Sequence, residues 1–299
     1  MNYTSPLNRR LRALRRLGYA AVQRPMWRGG SVVPSFWWDG HPNFGDDMTP
    51  WLLPRYGVLP IYRQEASARL VGVGSILDFL PSTYDGAIWG SGLIEGREHA
   101  LPHARVLALR GPLTADLIGA ANTVPFGDPG LLVGRQMKRP RVRWEVGIIP
   151  HGHHRGHARL IELGRDCGDR VRVINVRQGA AAATREIAAC GTVFTTSLHG
   201  LVVADAFGIP AAWTTLEPAL IGGDFKFRDY EAAVTPGHTR FLPLADDLVV
   251  DEIVLHAGRA DAGVVAGLST GLERAIHRIA AVLGPQRAFP AGASQLIRN

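Results

Sequence analysis

Cysteine and lysine are almost missing from this chain of 299 residues. Only Cys167 and Cys190 occur, and neither has a CxxC partner, which excludes a disulfide framework and a thiolate zinc site. Both read as small buried apolar side chains. Lysine is limited to Lys138 and Lys226, so the formal net charge of +7 rests on arginine. A guanidinium binds carboxylate or phosphate through a planar fork that an ammonium lacks, which points to an anionic ligand. No run of eighteen or more apolar residues is present, and the N-terminus lacks the apolar centre of a signal peptide. The expected location is therefore the cytoplasm. Charges beyond residue 30 are scattered, without a helix-turn-helix, zinc-finger or RNP signature, so nucleic acid is not an expected partner.

No acid precedes Asp39, and residues 1–30 read as a separate basic amphipathic helix. Leu7, Leu11, Leu14 and Leu17 recur at helical spacing among Arg9, Arg10, Arg12, Arg15, Arg16, Arg24 and Arg28. Two readings stand for it: a solvated helix packed along the first domain, or a helix on the cytoplasmic face of the inner membrane. In the second, each arginine contributes about 1 kcal/mol near anionic lipid. Residues 31–138 alternate strand-like and helix-like runs, QMKRPRVRW at 136–144 reads as a linker, and 139–285 alternate again. That order predicts an α/β protein with two parallel sheets. The final helix is expected over about Val264 to Val282, packing back across the domains, and 286–299 as a flexible tail.

Chemistry is expected where strands run into helices. Thr195 to Pro210, TTSLHGLVVADAFGIP, reads as a strand end, a polar elbow and a helix, which puts Ser197 and His199 at the carboxyl edge of a sheet beside a helix N-terminus. Asn43, Gly45 and Asp46 fall at another such turn, Gly74-Ser75 and Gly90-Ser91 at two more, and Arg110 ends a strand just before Gly111-Pro112. Gly74-Ser75 is expected to lead into an apolar helix, and Thr114 to cap the helix after Arg110. The cluster HGHHRGH at His151 to His157 has no carboxylate or thiolate shell nearby, so no metal is assigned; His151, at a strand end, is the better candidate.

These stretches carry a resemblance. Asn43-Phe44-Gly45-Asp46, GSIL from Gly74, WGSG from Trp89, LRGPLT from Leu109, GDP from Gly127, IIPH from Ile148 and SLHGLVVADAFGIP from Ser197 resemble, in order and spacing, the polysaccharide pyruvyl transferase family, in particular members acting on exopolysaccharides of the succinoglycan type. KFRDYEAAV, Lys226 to Val234, is similar to that group's late segment. The resemblance implies two Rossmann-like domains facing across a cleft, GT-B-like, and transfer of pyruvate from phosphoenolpyruvate to a sugar as a ketal. Its partners would be phosphoenolpyruvate as donor substrate, with no further cofactor, and a lipid-linked oligosaccharide or polysaccharide acceptor.

By that resemblance His199 is the acid/base, and Arg110 holds the donor anion with Lys226 and the Ser197 elbow. His151 contacts donor phosphate or acceptor, and Asn43 and Asp46 bind acceptor hydroxyls. The glycine-serine turns at Gly74, Ser75, Gly90 and Ser91 line the substrate. Several family members carry an arginine two residues before the histidine, where this chain has Ser197, so Lys226 or Arg228 would supply that anion contact. The alternatives are a GT-B-type nucleotide-sugar glycosyltransferase, for which no Glu-x(7)-Glu pattern appears, and a non-catalytic carbohydrate-binding protein using Trp27, Trp37, Trp38 and Trp51.

Overall fold

Short runs of β-branched and apolar residues form the strands, and nearly every strand hands over to a helix. The computed structural model describes residues 3, 5–121 and 123–296. In chain order the first part contains α1 (Pro6–Ala21), α2 (Arg24–Trp27), β1 (Ser31–Phe36), α3 (Met48–Leu52), β2 (Val58–Tyr62), β3 (Leu70–Val71), β4 (Ala87–Ser91), β5 (Arg105–Leu109), α4 (Pro112–Ile118) and α5 (Val133–Gln136). There follow β6 (Trp144–Ile149), α6 (Ala158–Asp166), β7 (Val171–Val173), α7 (Ala180–Ala188), β8 (Cys190–Thr195), α8 (Leu198–Ala206), β9 (Ala211–Trp213), α9 (Phe225–Val234), α10 (Val250–His256), α11 (Ala262–His277), α12 (Ile279–Leu283) and β10 (Arg287–Ala288).

Two parallel sheets result, as the alternating pattern predicts. In the first, β2, β1, β3, β4 and β5 are parallel neighbours, and β10 joins the start of β1 antiparallel. In the second the order is β7-β6-β8-β9, all parallel. β6 and β8 are central and buried along most of their length, which is why their sequences are near-continuous apolar runs rather than alternating ones.

One apolar cluster crosses from the first sheet's loops into the second. Phe44, Met48, Leu52 and Val73 pack with Ile149, Leu198, Leu201, Val202 and Phe227. α8 lies inside this cluster with Leu198 through Asp205 all buried, so it has no polar face to show in its sequence. Among the described residues, no helix is long and apolar enough to cross a membrane.

The final helix, expected over about Val264 to Val282 and packing back across the domains, does reach the first sheet: Leu272, Ala275, Ile276, Ile279 and Leu283 share a core with Val33, Leu70, Trp89 and Leu107. The Trp89 indole donates to Leu272 O at 2.9 Å, fixing α11 there. Apolar periodicity shows that a helix has a buried face but not which sheet that face will meet. Several expectations need correction. The expected flexible tail is placed: β10 pairs Ala288 with Ser31, Phe289 meets the Trp27 ring at 4.9 Å, and Ala293 is buried; residues 297–299 lie outside the described part. A two-residue strand is too short to leave a period in the sequence. After Gly74-Ser75 comes one 3₁₀ turn, Leu77–Phe79, rather than a helix. Thr114 does not cap α4, because its N–H and hydroxyl both donate to Asp229.

Candidate active site

The carboxyl ends of strands from both sheets open into one cavity of about 380 Å³. Asn43 and Asp46 reach it from the turn after β1, Ser75 from the loop after β3, His151 from the end of β6, Ser197 and His199 from the start of α8, and Lys226 from α9. Trp38, Ile76, Phe79, Ile94 and Leu220 supply much of its apolar wall. Seven of the expected site residues thus converge, brought together from segments as far apart as 43 and 226.

His199 is held between two partners. The turn backbone presses on one edge of its ring: a Cβ built at Gly45 would lie 2.0 Å from His199 Nδ1, so only glycine fits there. On the other edge Nε2 lies 3.6 Å from Asp128 Oδ2, and neither buried atom has a hydrogen-bond partner among the described residues. Asp128 is itself fixed, because its Oδ1 accepts from Gly130 N at 2.8 Å. Asp128 belongs to the GDP motif from Gly127, but nothing local to that motif tells that it faces a histidine 71 positions later.

The other polar groups are buried enough to change character. Asp46 accepts from Asn43 Nδ2 at 2.6 Å, and burial raises its carboxyl from 3.8 to about 7, against the opposing pull of His199, Asn43 and Lys226. Burial also lowers the Lys226 ammonium to about 8, with Arg110 adding repulsion and Asp46 opposing it. Lys226 is the only lysine or arginine among the residues described as lining this cavity. His151 is pushed down to about 2 by burial, with Lys226 and the neighbouring histidines adding to it, so its ring stays neutral and offers hydrogen bonds rather than charge. Ser197 is the N-cap of α8, and the positive end of that helix favours an anion.

Arg110 is not in the cavity. Its guanidinium is fully buried and fully used: Nε donates to Asp229 Oδ2 at 2.8 Å, Nη2 to Leu93 O at 2.6 Å and Nη1 to Ser75 Oγ at 2.5 Å. The motif around it serves this ion pair. A Cβ at Gly111 would lie 1.8 Å from Asp229 O, so the glycine lets α9 approach. The expectation of a donor-binding arginine misreads a sheet-edge position whose outlet is filled by α9. Arg110 acts at one remove: it anchors Asp229, three residues on from Lys226 in α9, and it leaves the Ser75 hydroxyl hydrogen free for the cavity. Gly90 and Ser91 are likewise packing residues outside the cavity, with Ser91 Oγ donating to Gly74 O at 2.7 Å. Gly74 backs Asp46 rather than lining the space itself.

Arg110→Ala is therefore expected to cost about 3–5 kcal/mol of stability by stranding the Asp229 charge, read as a lowered urea midpoint. An Arg110→Met, Asp229→Leu double variant should recover much of that loss. A single variant of wild-type stability with a raised donor KM would return Arg110 to the ligand.

Of the 151–157 histidines, His151 lies with its ring centre 5.1 Å from that of His153 and 6.1 Å from that of His154. His154 bridges Thr196 Oγ1 and Pro218 O, both at 3.0 Å, and no metal-holding group of three His, Cys, Asp or Glu occurs among the described residues. A larger cavity of about 810 Å³ lies beyond Leu220, walled by Trp213, Phe227, Phe241, Glu217 and Arg228, so Arg228, expected with Lys226 as an anion contact, lines this space and not the smaller cavity.

The sequence profile described as polysaccharide pyruvyl transferase matches residues 79–217. The chain is similar to the succinoglycan biosynthesis protein ExoV of Rhizobium meliloti, 29% identical over 209 residues, which are 67% of this chain and 64% of that protein. It is also 29% identical over 168 residues to an uncharacterized protein of Acanthamoeba polyphaga mimivirus, covering 53% of this chain and 57% of the other. The chain thus spans less than two thirds of the length of either relative. A crystal structure of a functionally uncharacterized protein from Klebsiella pneumoniae aligns with a TM-score of 0.40 at 12% identity, over 78% of this chain and 97% of that one, a likeness too distant to carry argument. The matched stretch holds the WGSG, LRGPLT, GDP, IIPH and SLHG turns that build the walls of the cavity and the layer behind them, and over that stretch the chain is similar to the polysaccharide pyruvyl transferase family.

Proposed function

We propose that this cavity binds phosphoenolpyruvate and one sugar of an exopolysaccharide precursor, and joins the pyruvyl group to two sugar hydroxyls as a ketal. The observation that carries the reading is the meeting of a buried ammonium, a carboxyl that titrates near neutrality and an imidazole backed by a carboxylate in one pocket. In this reading the two halves act as Rossmann-like domains facing across the cleft, GT-B-like, and the cytoplasm, which holds phosphoenolpyruvate, is the proposed location. The larger cavity past Leu220 would take further sugars of the acceptor.

The chemistry sets what the residues must do. The enol CH₂ carbon takes a proton, one sugar hydroxyl attacks the adjacent carbon, phosphate leaves, and a second hydroxyl closes the ring. Of the two hydroxyl protons lost, one balances the new methyl group and one departs with phosphate. Lys226 and the N-terminus of α8 face the donor's negative charge, while the neutral His151 ring and the Ser75 hydroxyl give oriented hydrogen bonds. Asn43 and Asp46 hold the acceptor, and Asp46 takes the attacking hydroxyl's proton. His199, with Nε2 turned toward Asp128, delivers the other through Nδ1.

Incubating the protein with phosphoenolpyruvate and a lipid-linked oligosaccharide should release phosphate and add to the sugar the mass of pyruvate less one water. Transfer from a sugar nucleotide, with no phosphate released from phosphoenolpyruvate, would overturn the reading.

The same assignment fixes a pH profile. kcat/KM should rise as Asp46 loses its proton through about 7 and fall as Lys226 loses its own through about 8, a narrow bell. Lys226→Met should raise the donor KM about 10- to 100-fold, the loss of one charged hydrogen bond, with a smaller change in kcat. Lys226→Arg should retain binding and move the alkaline limb upward. An alkaline limb unchanged in that variant would remove Lys226 from donor binding.

A further inference from the structure

Leu7, Leu11 and Leu14 of α1 do not face the protein. Arg12 and Arg16 do: Arg12 Nη2 binds Asp39 Oδ2 at 2.8 Å, Arg16 Nη2 binds Asp47 Oδ1 at 3.1 Å, and the Arg16 guanidinium lies 4.9 Å from the Trp37 ring centre. Along this turned-in side only Ala20 is fully buried, and Leu17 packs partly on the core beside it. The opposite side carries Leu7, Leu11 and Leu14, which are 68%, 44% and 53% exposed, and Val22 just beyond the helix is 75% exposed. At 3.6 residues per turn those three leucines fall within about 60° of one another, and Arg10 and Arg15 lie on either flank. Trp27, 59% exposed, continues the apolar surface past the helix end.

The helix packs along the first domain through Arg12, Arg16, Leu17 and Ala20, and this orientation leaves Leu7, Leu11 and Leu14 as an apolar ridge edged by cations. Arg10, Arg15, Arg24 and Arg28 are exposed and make no ion pair among the described residues, and residues 1–38 contain no acid to neutralise them. A second copy of this chain would set the same cations against one another. A nucleic acid would use the cations but leave the leucines in water. An anionic bilayer satisfies both, because its headgroups meet the arginines while the leucines enter the acyl boundary.

We propose that the outer face of α1, continued by Val22, Arg24, Trp27 and Arg28, docks the protein on an anionic lipid bilayer with the helix lying in the interface. The inward arginines then give this surface a second consequence. Asp39 and Asp47, which they hold, bracket the turn that carries Asn43 and Asp46, so the docked helix sits behind the acceptor side of the cavity. The proposal stands on the exposure and charge of α1 and is independent of the donor chemistry.

Co-sedimentation of the full chain with vesicles tests it. Strong binding is expected to vesicles of phosphatidylglycerol and phosphatidylcholine in a one-to-two ratio, with weak binding to phosphatidylcholine alone. Arg10→Gln with Arg15→Gln should weaken partitioning on the order of 30-fold, from the attraction of two basic residues near an anionic surface. Leu11→Glu with Leu14→Glu should abolish it. Both double variants should melt with the wild type, since none of the four side chains is buried, and should keep its activity on a water-soluble acceptor. Wild type that fails to bind anionic vesicles, wild type that binds neutral vesicles equally well, or a leucine variant that still binds would each overturn the proposal.

Discussion

His199→Ala is expected to reduce phosphate release from phosphoenolpyruvate by about 10²- to 10⁴-fold while leaving the donor KM nearly unchanged, the signature of a group that moves a proton rather than one that binds. The structure adds a control. Because His199 Nε2 faces a buried Asp128 carboxylate, alanine also strands that carboxylate, and part of any lost activity could be lost fold. Asp128→Asn separates the two effects. The amide still packs beside the ring but carries no charge to face it, so activity should fall with a smaller change in melting temperature. Asp128 is in this sense a positioning residue. A folded His199→Ala protein retaining more than a tenth of wild-type turnover would remove the imidazole from the reaction.

Asp46→Asn should abolish most activity and make the protein more stable at alkaline pH, an opposite pair of effects that a merely structural residue would not give. Burial raises this carboxyl from 3.8 to about 7, so it holds a proton more tightly folded than unfolded. The free energy of unfolding therefore falls as pH rises from about 4 to about 7, by about 4 kcal/mol in total, and the loss persists above that range. Asparagine carries no charge to bury. Its amide can still pair with Asn43, so the variant should gain about 2–4 kcal/mol over wild type at pH 8 and close to nothing at pH 4, read by urea unfolding at the two pH values. Turnover should drop on the order of 100-fold with loss of the base. Equal stability of the two proteins at pH 8 would show that Asp46 is not held against its own charge, and would leave no reason to read it as a base.

The strands and helices that bear the site were legible because each is a local pattern. GTVFT before Ser197 is a buried strand by its β-branched run, and the polar elbow after it follows from helix-start chemistry, so His199 at a sheet edge could be read from one segment. The turns at Asn43, Ser75 and His151 followed in the same way. Arg110 is legible only in part: its position at a strand end is a local pattern, but its partner Asp229 lies 119 residues away, and only packing of α9 across α4 turns a candidate ligand into a buried ion pair. Asp128 is the reverse case, a turn residue that gains a role from a histidine on a distant helix.

The sequence by itself determined the alternation of elements, the parallel sheets and the candidate side chains at strand ends, because these depend on neighbours along the chain. Tertiary structure alone decided which candidates share a cavity, which way α1 turns its leucines and which sheet α11 covers. It also decided the proton affinities of Asp46 and Lys226, since desolvation and Coulomb forces act through space and are set by residues that no local pattern links.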